Sequence, residues 1–334
     1  MASVREIFEQ SRSILLSGHL RADGDCLGAL SVLYHGFRAL DRQVQILLPD
    51  APDSRYRFLQ RHTPMSIYQP GSALPEVDSW WVCDCSALSR LGPLQVDFLG
   101  AACPKVAVDH HPLEGEMAPQ TIWDAMIHDV DAPASGQLAL EFIESLGVEL
   151  PLAAKEAAFL SLVSDTGWFR YPNATEPAWQ AAARLVEGGV QPWRLFADIY
   201  QQTEAERPWG VAIALQHTRY LAEGRIAFTW VDRESLEQAG GHLEDTDEVL
   251  DLLRAVAQVE VVAFLFEWEP GKFKLSLRSK SDFDVSVVAG HLGGGGHRRA
   301  AGVRLPEGRS CAVFVAQIEA VLVQEWQRYV RLRG

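Results

Sequence analysis

Asp109-His110-His111 sits directly after the apolar run Val106-Ala107-Val108, and this arrangement recurs along the first half of the chain. Ile14-Leu15-Leu16 leads to His19-Leu20-Arg21-Ala22-Asp23-Gly24-Asp25, and Trp80-Trp81-Val82-Cys83 leads to Asp84. Leu160-Ser161-Leu162-Val163-Ser164 leads to Asp165-Thr166-Gly167. Short apolar runs alternating with helical segments argue for an α/β fold with a parallel sheet covered on both faces. Ligands of such sheets sit beyond the carboxyl ends of the strands. Four segments that carry oxygen and nitrogen donors to the end of a buried run therefore imply one cluster of hard ligands.

The pattern fixes most of the expected elements. Ser3 and Glu6 form a capping box that starts a helix over Val4 to Arg12. Strands are predicted at Ser13–Ser17, Val44–Leu48, Ser79–Cys83 and Lys105–Val108. Helices are predicted at Cys26–Leu40, Asp53–His62, Ala134–Leu146, Leu152–Val163 and Glu176–Glu187. Gly188-Gly189, with Pro192 close behind, breaks the pattern. The first domain is therefore expected over 1–187, a linker and connecting helix over 188–210, and a smaller α/β domain over 211–334. Within the latter, strands are predicted at Arg225–Val231, Val259–Phe266 and Phe273–Arg278. Helices are predicted at Asp247–Ala257, Asp284–His291 and Ala312–Arg328.

Bulk properties narrow the class. A chain of 334 residues, 48% apolar, can bury two cores. Its net charge of −14 argues against gripping long duplex nucleic acid, which needs a broad basic face. A short phosphorylated substrate stays open, because bound divalent metal can supply local positive charge. Five cysteines at irregular spacing imply no disulfide framework, and Cys83 and Cys85 read as small packing residues. No signal-type stretch follows Met1, and Val259–Phe266 is too short to span a bilayer, so a soluble cytoplasmic protein is expected.

The donor chemistry can be weighed motif by motif. Asp23-Gly24-Asp25 places two carboxylates on a glycine-permitted turn near His19, although solvated turns use the same residues. Asp84 alone could cap a helix, and Asp165 alone could end one. Asp109-His110-His111 is the most specific of the set. Together the donors suffice for two divalent ions sharing a carboxylate, a constellation suited to phosphoester hydrolysis. Imidazole with carboxylates favours Mn²⁺, or Mg²⁺ and Co²⁺, over thiolate-type zinc. Further on, Gly293 to Gly302 with His297, Arg298 and Arg299 offers an anion cradle, although composition alone also admits a flexible turn. Arg278, at a predicted strand end, could reach the same anion, although a solvated edge cation is the alternative.

In this order the motifs resemble the DHH phosphoesterases: His19 to Asp25, Asp84-Cys85-Ser86 with Arg90, Asp109-His110-His111 and Asp165-Thr166-Gly167. The glycine run resembles the family's DHHA1 domain, so the resemblance spans nearly the whole chain. Its length is most similar to the oligoribonuclease (nanoRNase) and pAp-phosphatase branch. The resemblance implies one metal held by His19, Asp23 and Asp84, and a second by Asp25, Asp84, His110 and Asp165. Asp109 would orient a ligand, and His111 would stand by the scissile phosphate as proton donor or transition-state stabiliser. Arg278, Gly295, Gly296, His297 and Arg298 would hold the substrate. The implied activity is Mn²⁺-dependent cleavage of short oligoribonucleotides such as dinucleotides to 5′-mononucleotides, with pAp as a further substrate and a homodimer as a possible assembly. A cyclic-dinucleotide phosphodiesterase and a non-catalytic nucleotide sensor are the alternatives, the complete ligand set counting against the sensor. Gly28-Ala29 and Cys85 depart from residues frequent in the family without removing a ligand. Trp168 and Phe169 are expected to pack rather than to stack on a base.

Overall fold

A computed structural model describes residues 3–113, 122–241 and 247–333. The chain divides into two compact units, Met1–Gln202 and Thr203–Gly334. The first unit opens with α1 (Val4–Gln10), β1 (Ser13–Ser17), α2 (Gly24–Ala39) and β2 (Gln43–Leu48). A 3₁₀ segment (Ser54–Arg61) stands where an α-helix was expected, followed by β3 (Ser66–Ile67) and β4 (Ser79–Cys83). A second 3₁₀ segment (Leu88–Leu94) leads into α3 (Gln95–Gly100), β5 (Lys105–Asp109) and β6 (Ala125–His128). Four helices complete the unit: α4 (Ser135–Ser145), α5 (Leu152–Asp165), α6 (Glu176–Glu187) and α7 (Pro192–Tyr200). Residues 192–200, expected within the linker and connecting helix, form α7, and its Leu195 and Ile199 join the first unit's core. The capping box is formed at Ser3, whose hydroxyl accepts from Glu6 N while Ser3 N donates to Glu6 Oε2 at 2.6 Å.

The six strands of this unit are parallel and ordered β3-β2-β1-β4-β5-β6. Their faces divide by alternation. Ile14, Leu16, Trp81, Cys83, Val106 and Val108 pack with residues of α2, α4 and α5. Leu15, Trp80, Val82 and Ala107 pack with Leu88, Leu91, Leu94 and Phe98 on the other face. Burial on both faces is why these strands read as unbroken apolar runs. The chain winds outward from β1 through β2 to β3, then returns to start again at β4 beside β1. That reversal opens a crevice at the carboxyl ends of two neighbouring strands. His19 follows β1 and Asp84 follows β4, so both fall at the crevice.

Three helices approach to backbone contact over the site. A Cβ on Gly136 would lie 2.1 Å from Ser161 Oγ, and one on Gly28 would lie 2.5 Å from the Ala157 carbonyl oxygen. The glycines let α2, α4 and α5 converge, which brings Asp25, Ser135 and Ser161 together. Gly136→Ala is therefore expected to destabilise the protein by about 1–3 kcal/mol, as overpacking of a filled core does. A chemical denaturation midpoint equal to that of the native protein would contradict this packing.

The second unit contains α8 (Arg207–Gln216), β7 (Arg219–Leu221), β8 (Ile226–Val231), α9 (Arg233–Gln238), α10 (Asp247–Arg254), β9 (Val261–Glu269) and β10 (Lys272–Ser279). It ends with α11 (Val285–His291), β11 (Gly295–His297), β12 (Ala300–Arg304) and α12 (Cys311–Arg331). Its sheet is mixed, ordered β11-β12-β10-β9-β8-β7, with β8 and β9 parallel and the other pairs antiparallel. One face packs on α11 and α12, and the other on α8, α9 and α10. The glycine run is a β-hairpin. Among the described residues no helix is long and apolar enough to cross a membrane.

Candidate metal centre

Two imidazoles are aimed in the same way. His19 Nδ1 bonds the Leu20 carbonyl at 2.8 Å, and His110 Nδ1 bonds the Ala132 carbonyl at 3.0 Å. A backbone carbonyl only accepts, so each Nδ1 carries the proton and each Nε2 presents a lone pair. This is how metal-ligating histidines are usually fixed. His110 Nε2 is buried and has no hydrogen-bond partner among the described residues. It faces three carboxylates instead: Asp25 Oδ2 at 3.5 Å, Asp84 Oδ1 at 3.7 Å and Asp165 Oδ2 at 3.7 Å. His19 Nε2 faces Asp84 Oδ2 at 3.2 Å and Asp23 Oδ1 at 4.0 Å.

Asp84 links the two sets, with Oδ2 toward His19 and Oδ1 toward His110. It also adopts φ 58°, the left-handed region. Such a conformation costs a non-glycine residue about 1–3 kcal/mol and persists where surrounding contacts enforce it. Here Asp84 N donates to the Val108 carbonyl at 2.8 Å, and Ser135 Oγ donates to Oδ1 at 2.9 Å. Within each of three groups, donor atoms lie within 4.8 Å of one another: His19, Asp23 and Asp84; Asp25, His110 and Asp165; and Asp84, His110 and His111. Lone pairs and carboxylate oxygens at these separations repel unless a cation or protons sit among them. The donor set fits hard divalent ions.

The electrostatics agree. Burial pushes the Asp25 carboxyl well up, and the neighbouring Asp84 and Asp165 charges push it further. Asp165 is raised as well, first by burial. Burial also works to raise Asp84, but the close His19 and His111 imidazoles, with the Ser135 hydroxyl, outweigh it and leave Asp84 below the usual carboxylate range. Asp25 is further held by Ser135 N at 2.8 Å, Gly136 N at 2.9 Å and Ser161 Oγ at 2.5 Å. The amide donors open α4, where the helix dipole favours negative charge.

Asp109 differs from the expectation that it would orient a ligand. Its Oδ1 accepts from His111 Nδ1 at 2.8 Å and from His111 N at 3.1 Å, so the ring it fixes is His111. Burial acts to raise the Asp109 carboxyl, but the His111 and Ser86 hydrogen bonds bring it down to about 2. The Asp109 hydrogen bond in turn raises His111, against the opposing effect of burial.

Several supporting residues gave no sequence signal. Ser135 and Ser161 hold Asp25, and His128 Nε2 bonds the His111 carbonyl at 2.7 Å. Asn173 Nδ2 donates to Asp165 Oδ2 at 3.1 Å and to the Pro133 carbonyl at 3.2 Å. Serine, histidine and asparagine at these places match no local pattern, because their partners are distant in sequence. Trp168 packs against Phe196 and Tyr200, and Phe169 stacks on Trp179 with ring centroids 4.2 Å apart.

In the second unit, Arg278 on β10 pairs with Ala300 on β12, and Ala300 pairs with His297 on β11. Residues directly opposite across a ladder share a face. Arg278 and His297 therefore lie on one face two strands apart, roughly 10 Å from backbone to backbone. Gly295, two residues before His297, shares that face, while Gly296 sits between them with its amide in the hairpin. Arg298 Nε and Nη2 donate to the Asp282 carbonyl at 3.2 and 2.7 Å, so part of its guanidinium serves the fold.

Residues 13–163 match the DHH family, N-terminal domain, and residues 224–324 match the DHHA1 domain. The chain belongs to the DHH family. Asp165 lies just past the first match, and Arg278, Gly295, Gly296, His297 and Arg298 lie within the second. The bifunctional oligoribonuclease and PAP phosphatase NrnA of Thermus thermophilus is 27% identical over 304 residues, covering 87% of this DHH protein and 84% of the relative. The protein of the same description from Bacillus subtilis is 24% identical, with coverage of 92% and 94%. An exopolyphosphatase-related protein from Bacteroides fragilis shares the fold, with a TM-score of 0.86 at 19% identity over 98% of this chain and 95% of that one.

Proposed function

We propose that this protein is a two-metal phosphodiesterase that hydrolyses short oligoribonucleotides to 5′-mononucleotides and removes the 3′-phosphate of pAp. The observation that carries the reading is the Asp84 carboxylate, whose two oxygens face two different donor sets at 3.2 and 3.7 Å. The activities named for the two NrnA relatives support the substrate class. His19, Asp23 and Asp84 would hold one cation, and Asp25, His110 and Asp165 the other, with Asp84 shared. Bound there, divalent ions such as Mn²⁺ would supply Lewis-acid polarisation of a phosphoryl oxygen and an acidified water.

The chain's own residues do the rest. His111, anchored through Nδ1, presents Nε2 as the atom that holds a proton for the leaving oxygen. Asp109 strengthens that ring's hold on its proton and fixes its orientation. The face bearing Arg278, Gly295 and His297 binds phosphate through the Arg278 guanidinium, the His297 ring and hairpin amides. A reducing cytoplasmic setting suits Cys26 and Cys83, both buried free thiols.

Two outcomes test the machinery. Asp109→Asn removes the anion that raises His111, so His111 loses its proton at lower pH. The basic limb of the kcat/KM profile is expected to move to lower pH, and an unmoved limb would exclude His111 as the proton donor. Mn²⁺ added to metal-free protein is expected to raise Tm, since saturation a hundredfold above Kd contributes about 2.7 kcal/mol. Equal melting with Mn²⁺ and with EDTA would oppose a metal centre.

The activity itself is tested by product analysis with Mn²⁺ on pGpG, pApA, longer oligonucleotides, pAp and cyclic di-AMP. Fastest turnover of linear dinucleotides is expected. Faster cleavage of the cyclic compound would reassign the substrate, and tight binding without product would make the protein a sensor.

A further inference from the structure

Arg90 has no part in the ligand set, yet it contacts the backbone of Asp84 and of the loop that carries His19. Its Nη1 donates to the Asp84 carbonyl at 3.1 Å. Its own carbonyl accepts from Leu20 N at 2.7 Å. Leu20 follows His19, and the Leu20 carbonyl is the acceptor for His19 Nδ1 at 2.8 Å. A further contact joins the same segments: a Cβ on Gly92 would fall 2.5 Å from Leu20 Cδ1, so the Leu20 side chain lies on the Gly92 backbone. Arg90 itself is half-buried, and Arg90 N is tied to the Ala87 carbonyl at 3.0 Å.

These contacts bear on a strained residue. Asp84 holds φ 58°, and its carbonyl direction follows from that conformation. A charged donor on that carbonyl stabilises the conformation, and charge-assisted hydrogen bonds are the stronger kind. Metal bonds of about 2.0–2.2 Å place adjacent donors about 3 Å apart. His19 Nε2 and Asp84 Oδ2 are 3.2 Å apart, although they come from different strands.

We propose that Arg90 is a positioning residue of the metal centre: it clamps the backbone of Asp84 to the loop that carries His19 and so sets the separation of the two donors. This rests on the proposed metal centre and adds the device that keeps His19 and Asp84 in register. The clamp spans both peptides at once, through the side chain on one side and the main chain on the other.

The test is Mn²⁺ binding, read by electron paramagnetic resonance of the free ion, on native protein, Arg90→Ala and Arg90→Lys. Arg90→Ala is expected to weaken one of the two Mn²⁺ sites by at least about tenfold, the usual effect of losing a group that orients a ligand. Arg90→Lys retains one N–H donor for the Asp84 carbonyl and is expected to recover most of that loss. Should Arg90→Ala fail to fold, Arg90→Met keeps the aliphatic stem, removes the donors and carries the same comparison. Native-like Mn²⁺ affinity in the folded Ala or Met variant overturns this inference alone. A Lys variant no better than Ala also overturns it. Native protein that binds no Mn²⁺ overturns the metal centre and the clamp with it.

Discussion

Asp84→Asn is expected to lower kcat by at least about a thousandfold, because roughly 4 kcal/mol of transition-state stabilisation depends on cations that need this carboxylate. Asn has the shape of Asp and is among the few side chains that tolerate the left-handed region, so φ 58° survives the change. What disappears is the negative charge between His19 and His110. The amide also places an N–H₂ where one donor set requires an acceptor. Mn²⁺ stoichiometry should fall below two per chain, while the circular dichroism spectrum of the metal-free protein stays unchanged. A folded variant with near-native turnover would remove Asp84 from the centre of the account.

The second large effect separates proton transfer from metal binding. His111→Ala is expected to reduce kcat by about 10²–10⁴, the usual contribution of a general acid. Mn²⁺ affinity should stay close to native. The loss should shrink on an ester with a p-nitrophenol leaving group, which departs without a proton. The opposite result has a specific meaning. His111 Nδ1 lies 3.5 Å from Asp84 Oδ1, so a variant that lost Mn²⁺ would make His111 a ligand instead of a proton donor.

The donor cluster was legible in the sequence because His19, Asp84 and His110 follow strands β1, β4 and β5, and Asp165 ends α5, each after a contiguous apolar run, while Asp23 and Asp25 open α2 beside His19. Ser13–Ser17 and Ser79–Cys83 were predicted to the residue, and His19 and Asp84 lie just beyond them. Asp165 read as a helix end and is one, the last residue of α5. Contacts between distant residues were not legible. Asp25 meets Ser161 across 136 positions, and no local pattern marks that serine. Asp109 was assigned to a ligand, whereas its hydrogen bond goes to the adjacent His111. β6 escaped notice because Ala125–His128 is only four residues long and partly buried throughout.

The glycine run shows a different limit. Strand prediction relies on alternating side chains, and glycine has none, so β11 left no period-2 signal. Two of its glycines are required by the hairpin itself. A Cβ on Gly294 would fall 2.3 Å from the Gly302 carbonyl oxygen, and Gly296 takes φ 144°. Gly295 meets nothing within 4 Å and lies exposed, which leaves it open to a close-lying phosphate.

Anomalous scattering at the manganese edge, from crystals grown with Mn²⁺, tests the central claim most directly. The account predicts two peaks about 3.5–4 Å apart, the spacing of two-metal sites. One should be ligated by His19 and Asp23, the other by Asp25, His110 and Asp165, with the Asp84 carboxylate shared between them. A saturated crystal with no peak among these residues, or with one bound only by surface carboxylates, would contradict it.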